Sequence, residues 1–464
     1  MCGVFSSVGY QSGQLGRTVN PLALPSYVRI VDPPPCLPTS FARGFFCVSK
    51  PFCGGLGWDN NPMDRWYQQL WQKVKRLDWV LLVTTLVLAT AGVCFVKSAC
   101  SARSTVALQS LWVGQLQFAV VGVALMFGLA FSDYRKWMKL SPMVYVGMLM
   151  ALVLVLIPGI GVARMGARRW LFGLQPSEPA KLAVMMILAW LIGGNIERFR
   201  NFKGLCICGA LAAVPAGLIL LEPDLGTALV LGPTVLAMLF AARISPKVLG
   251  AGVLALVLTV SYELTLVKIA KAEGVPKERS EQILKWTGLL PHQLDRVETF
   301  LYPQRDPYKT GYNARQSEIA VGSGGLWGKG YGQGVQHRLG YLPAAVSMND
   351  FIFPVVAEET GFVGTLVLLG LYLLGIIFPG VFIALRCDDN TGKLLSIGVV
   401  TLIFCHIFIN IGMTVRIVPI TGLPLPFISQ GGTFMLVMMM AMGFLQSVAV
   451  HSRSTTAVST DNLF

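Results

Sequence analysis

From Trp79 to Val450 the chain repeats one pattern about ten times, an apolar run of roughly 17 to 28 residues followed by a polar break. The runs cover residues 79–96, 109–132, 141–160, 177–194, 204–221, 225–242, 248–266, 351–378, 395–414 and 432–450. At ~1.5 Å per residue, a helix of each length crosses ~30 Å of hydrocarbon. With 54% hydrophobic and 13% charged residues, the chain carries more apolar surface than one soluble core can bury. Lipid must be part of its solvent, and the expected fold is all-α, a polytopic membrane protein of about ten transmembrane helices. The fifth and sixth runs are parted only by Glu222-Pro223-Asp224, which reads as a broken helix or, since a proline and two acids meet there, a hairpin.

The formal charge of +14 does not point to a nucleic acid, because Lys and Arg sit in short clusters between apolar runs rather than on one basic domain. One set of breaks holds Arg65 to Arg76, Arg135 to Lys139, Arg198 to Lys203, Arg243, Lys247, Arg386, Lys393 and Arg453. The alternate set holds only Lys97, Arg103, Arg164, Arg168, Arg169 and Arg416. Positive charge inside then puts both termini in the cytoplasm and the long loop, about 267–349, outside. That loop is too long and varied for a plain connector, and long ordered loops carry function.

Residues 1–62, rich in Pro, Gly and Ser, read as a disordered extension. Met63 offers a second start, ahead of a basic amphipathic lead-in. Residues 63–450 form the membrane domain and 451–464 a cytoplasmic tail. No Walker motif is present, which argues against an ATP-driven pump. The ten cysteines and four histidines, His292, His337, His406 and His451, show no metal spacing.

Ionisable groups inside apolar runs are costly, so each is a functional candidate. Glu178 and Lys181 open the fourth run and share a helix face three residues apart. They read as a structural ion pair, or as a site in which Lys181 meets an anionic substrate and Glu178 sets its position. Arg168-Arg169-Trp170, just before, reads as an interfacial anchor or as cations shaped for pyrophosphate oxygens. Asp350, in Asn349-Asp350-Phe351-Ile352-Phe353, stands where the outer loop meets the eighth run. It reads as a helix N-cap, or as a partly desolvated carboxylate whose raised pKa suits a general base. Glu358 and Glu359 lie roughly 12 Å deeper and default to structural hydrogen bonding. The run Gly322 to Gly332 reads as turns or as backbone that approaches a sugar or phosphate. Pro419 to Gly432, which includes Ser429, reads as an irregular segment lining protein or a wet cavity.

These segments, in this order, resemble the shape, elongation, division and sporulation (SEDS) family over residues 70–450. The resemblance is carried by Arg169-Trp170, Gln175 to Glu178 with Lys181, Glu222-Pro-Asp224-Leu-Gly226-Thr227, Phe300 to Gly311 with Pro303, Asp306 and Pro307, and Gln316-Ser317. It continues through Gly322 to Gly330, Asn349 to Phe353, Glu358-Glu359 with Gly361-Phe362, Asn410 to Met413, and Pro419 to Phe427. Within the family, Pro419-Ile-Thr421-Gly422-Leu-Pro424-Leu-Pro426 is similar to the elongation branch rather than the division branch.

The resemblance implies a peptidoglycan glycosyltransferase that polymerises lipid II at the outer face of the cytoplasmic membrane. Its expected partners are a class B penicillin-binding protein and membrane proteins of the elongation complex. Asp350 falls on the family's essential aspartate, Glu178, Lys181 and Trp170 on its supporting site, and Arg168, Arg169 and Ser429 join them as substrate-binding candidates. Gln430, Thr433, Ala357 and Glu222 depart from the residues usual there. The pyrophosphate would accept a divalent cation, Mg or Mn, but no dedicated carboxylate cage for one is visible. Rival readings are a lipid II flippase, for which the halves show no clear repeat, a division-type polymerase, and a scaffold that only recruits the penicillin-binding protein.

Overall fold

The computed structural model describes residues 62–101, 110–164, 167–270, 275–286, 291–302, 310–342 and 347–452. All but the last residue of the expected extension, the tail from 453, Arg103, Pro303, Asp306 and Pro307 lie outside these residues.

The described chain is almost entirely helical. An amphipathic α1 (Pro62–Arg76) precedes α2 (Trp79–Ser101), α3 (Leu111–Phe131) and α4 (Tyr134–Leu156). A small hairpin, β1 (Val162–Arg164) and β2 (Ala167–Trp170), leads into α5 (Ser177–Gly194), α6 (Phe202–Leu221), α7 (Leu225–Ala241) and α8 (Pro246–Ala270). The long loop contains α9 (Lys277–Trp286), α10 (Pro291–Leu301) and α11 (Thr310–Ser323). Then come α12 (Ile352–Tyr372), a π-helical segment (Leu373–Ile377), α13 (Phe378–Arg386), α14 (Asn390–Thr414) and α15 (Gly432–His451).

Among the described residues nine helices are long and apolar enough to cross a membrane, and α7 is a shorter apolar helix of 17 residues. Each corresponds to one expected run. Glu222-Pro223-Asp224 is a hairpin: α6 stops at Leu221, α7 starts at Leu225, and the two pack together. The helix of the third apolar run, α4, begins at Tyr134 rather than near 141, because Asp133 caps it by accepting from the Arg135 amide at 3.0 Å. Its first turns carry Arg135, Lys136 and Lys139, which an apolar-run criterion passes over.

Helices α5, α14 and α15 form the wrapped centre, whereas α4, α6 and α8 bury few of their side chains. In lipid, close backbone approach replaces the hydrophobic drive between helices. Helix α15 meets α3 in this way, Gly122 against Met439 and Gly443 against Met126 and Leu129. Helix α14 is sandwiched between α5 and α7, and α13 packs along it.

The long loop folds back onto the bundle. Helix α10 packs on α8 and α11, and α11 on α12 and α14. Inside α12, Gly361 departs from helical geometry (φ 70°, ψ −167°), which releases carbonyls and amides on either side. The glycine-rich run supplies their partners. Lys329 and Gly330 amides donate to the Glu358 and Glu359 carbonyls at 3.0 Å, and the Phe362 and Val363 amides donate to Gly325 and Leu326 oxygens at 2.8 and 3.1 Å. The close approach that these glycines permit is therefore to Ala357 and Glu359 of α12. The Glu358 carboxylate lies at the same place, 2.7 Å from Lys329 Nζ and 2.8 Å from the Val335 amide. Glu359 accepts from Ser98 Oγ at 2.5 Å.

Candidate active site

Asp350 ends a turn that enters α12. The capping position of the helix is Phe351, so Asp350 stands one residue before it and is not the N-cap residue. Its main chain is pinned from three sides. Asn410 Nδ2, on α14, donates to the Asp350 and Leu423 oxygens at 2.9 and 2.7 Å. Ser429 Oγ donates to Asn349 O at 2.6 Å and accepts from the Leu425 amide at 2.7 Å. The Gln430 amide donates to Met348 O at 2.9 Å. The irregular 415–431 segment thus has its polar backbone taken up by protein, as irregular structure at that depth requires.

The carboxylate faces Gly422, whose φ is 79°. A β-carbon added there would stand 3.1 Å from Asp350 Oδ2 and 3.6 Å from Arg296 Nη1, so glycine keeps this spot open for both charged groups. Arg296 comes from α10 of the long loop and anchors itself by donating to Thr421 O at 2.7 Å. Burial pushes the half-buried Asp350 carboxyl up to about 7, with Asp224 pushing the same way and the cations Arg296 and Arg169 opposing. Burial in turn lowers the pKa of Arg296, against the pull of Asp350.

The far wall is the α6–α7 hairpin. Asp224 caps α7 by accepting from the Thr227 amide at 3.2 Å, and its other oxygen takes Thr227 Oγ1 at 3.0 Å and Gln175 Nε2 at 3.1 Å. Arg169, on β2, donates through Nε to Glu222 O at 2.9 Å and through Nη2 to Pro223 O. The arrangement is a carboxylate near neutrality flanked by two guanidinium groups from separate elements. It can take a proton from a hydroxyl, and the guanidinium groups can stabilise negative charge that develops beside it.

Residues 78–454 match the FtsW, RodA and SpoVE family, described as cell cycle protein. The chain is 34% identical over 392 residues to the probable peptidoglycan glycosyltransferase FtsW of Geobacter metallireducens, covering 83% of this chain and 97% of that one. It is 33% identical over 388 residues to the peptidoglycan glycosyltransferase MrdB of Escherichia coli K12, covering 82% and 96%. The chain belongs to the FtsW, RodA and SpoVE family. Its fold also matches a solved chain of a peptidoglycan synthase complex that coordinates polymerization and crosslinking, with a TM-score of 0.64, 27% identity, and coverage of 82% and 99%.

In this family member the other site residues expected from sequence fall into two layers. Arg168 is exposed on β2, and Trp170 is half-buried beside Arg169. Glu178 and Lys181 lie beneath, paired at 2.9 Å, with the Lys181 side chain fully enclosed. Lys181 Nζ is also 3.0 Å from His406 Nε2, and His406 Nδ1 is 3.3 Å from Pro424 O. Lys181 therefore reaches the Asp350 surroundings through the 415–431 segment, while Ser429 holds the turn before Asp350. Sequence reasoning did not assign Arg296, Asp224 or Asn410 to the site. Asp224 had a signal, an acid immediately ahead of an apolar run. Arg296 had none, since its α10 neighbours include Asp295 and Glu298 and the helix reads as an ordinary solvated one. Among the described residues, no three His, Cys, Asp or Glu side chains are grouped to hold a metal ion.

Proposed function

We propose that this protein is a peptidoglycan glycosyltransferase that polymerises lipid II at the outer face of the bacterial cytoplasmic membrane, with both termini in the cytoplasm. The reaction is one inverting displacement. A sugar 4-hydroxyl attacks the anomeric carbon of a glycan carried on polyprenyl pyrophosphate. The hydroxyl proton passes to the Asp350 carboxylate, a glycosidic bond forms, and the bond to pyrophosphate breaks with its electron pair on the leaving oxygen. Arg169 and Arg296 stabilise that oxygen's charge, and Arg168 on the exposed strand extends the cationic wall.

The observation that carries this reading is the position of Asp350, which precedes the helix cap, is partly desolvated, and stands in the field of two guanidinium groups. The names of the relatives support the chemistry. Membership of the elongation branch rests on Pro419-Ile-Thr421-Gly422-Leu-Pro424-Leu-Pro426. The class B penicillin-binding protein and elongation-complex membrane proteins are its proposed partners.

The test uses purified full-length protein in liposomes with labelled lipid II, reading glycan product and lipid translocation in parallel. Product formation by the wild type and its loss in Asp350→Asn is the expected result. Translocation without product would overturn the reading in favour of a flippase. Neither activity in the presence of a cognate class B penicillin-binding protein would favour a scaffold.

A further inference from the structure

Glu222 closes the end of α6 and is 0% exposed. Both of its carboxyl oxygens are sealed from solvent, with no hydrogen-bond donor among the described residues. Its neighbour Arg169 spends two N–H groups on the hairpin, but both go to main-chain oxygens, those of Glu222 and Pro223. The Asp224 carboxylate, two residues on, is already used by Thr227 and Gln175 and brings like charge to the same turn. An ionised carboxylate with neither solvent nor donors is among the costliest groups a fold can hold, and its proton is the cheapest remedy.

We propose that Glu222 is a charge-setting positioning residue of the site: held as a neutral acid, it adds no negative charge beside Arg169, which can then meet an anionic pyrophosphate, and once ionised it offsets that positive charge. The inference rests on the polymerase reading, because it assigns the anion that Arg169 meets. Two charged groups act on Glu222, Asp224 from its own turn and Arg169 from β2. Burial, then Asp224, push its carboxyl up to about 8, with Arg169 opposing. The acid is thus neutral at pH 7 and ionises as pH rises through about 8, so the cation is masked on the alkaline side.

Two measurements on the purified full-length protein test this. In the first, KM for lipid II is followed from neutral pH to about pH 9. Between pH 7 and 9 the wild-type KM rises by up to about tenfold in all, as a single ionisation near 8 dictates, while Glu222→Gln, which keeps the shape and cannot ionise, stays flat. A wild-type KM that does not rise, or a rise that persists in Glu222→Gln, overturns the inference while leaving the polymerase reading intact. In the second, which needs no activity, infrared spectra at pH 7 are compared. The wild type shows a protonated-carboxyl C=O stretch that Glu222→Gln lacks and that fades on alkaline titration. Failure to find that band sinks the inference even if the protein proves not to be a polymerase.

Discussion

Asn410 Nδ2 joins the main-chain oxygen of Asp350 to that of Leu423, at 2.9 and 2.7 Å, so one amide on α14 ties the carboxylate-bearing turn to the loop that carries Thr421 and Gly422. Since Arg296 is anchored on Thr421 O, the same amide indirectly fixes the spacing between the Asp350 turn and that cation. Asn410→Ala leaves two carbonyls without their donor, at a cost of about 1–3 kcal/mol each where no water replaces it. The melting temperature is expected to fall, and kcat to fall further than KM rises, because the base loses its position more than the substrate loses contacts. Unchanged kcat in a folded Asn410→Ala protein would show that the amide does not position Asp350.

Asp350 is expected to act as an ionised base, so activity should rise with pH through about 7, where its carboxyl titrates. Asp350→Asn should lower polymerisation by about 10² to 10⁴, the usual worth of general-base help. The stability effect has the opposite sign. A carboxyl whose folded pKa lies above its unfolded value loses stability as pH climbs between the two, so the penalty is absent at pH 3 and complete by pH 8. Asp350→Asn should therefore melt higher than wild type at pH 8 and equally at pH 3. A lower melting temperature at pH 8 would mean that the carboxylate is paired rather than strained.

Arg296 is the cation that most opposes the upward push on Asp350. Arg296→Gln keeps a donor for Thr421 O and removes the charge, so the Asp350 carboxyl should hold its proton to higher pH. The acid limb of the rate profile is expected to move upward, and the rate at its plateau to fall as leaving-group stabilisation is lost. An acid limb that stays in place would remove Arg296 from the electrostatics of the base.

The apolar runs made the ten helices legible in the sequence, because length and hydropathy are local properties and a membrane leaves the backbone few alternatives. Asp350, Arg169 and the Glu178–Lys181 pair were legible for a related reason, as charges where lipid discourages them. Arg296 was not. It lies in a loop helix where arginine is ordinary, and its importance arises only when α10 folds back over Gly422. The burial of Lys181 was equally hidden, since its second neighbour, His406, is remote in sequence and met only through the packing of α14 on α5. The glycine-rich run gave a true signal of close backbone approach but no hint of what it approaches.

That run makes a last prediction about the membrane helix beneath it. Gly361 holds φ 70° and ψ −167°, a region essentially confined to glycine, and an added β-carbon would run into the Gly328 amide and the Leu326 carbonyl. Gly361→Ala should cost about 1–3 kcal/mol in backbone strain alone. The displaced loop would also loosen Lys329 and the Val335 amide from the buried Glu358 carboxylate, which then lacks its only ion-pair partner among the described residues. Gly370, in the same helix, has open space at its β-position and no positive φ, so Gly370→Ala should be neutral or gain about 0.5–1 kcal/mol. Thermal melting of the two purified variants separates a local clasp from a general need for small residues in α12. A loss confined to Gly361→Ala supports the clasp, and equal losses in both would refute it.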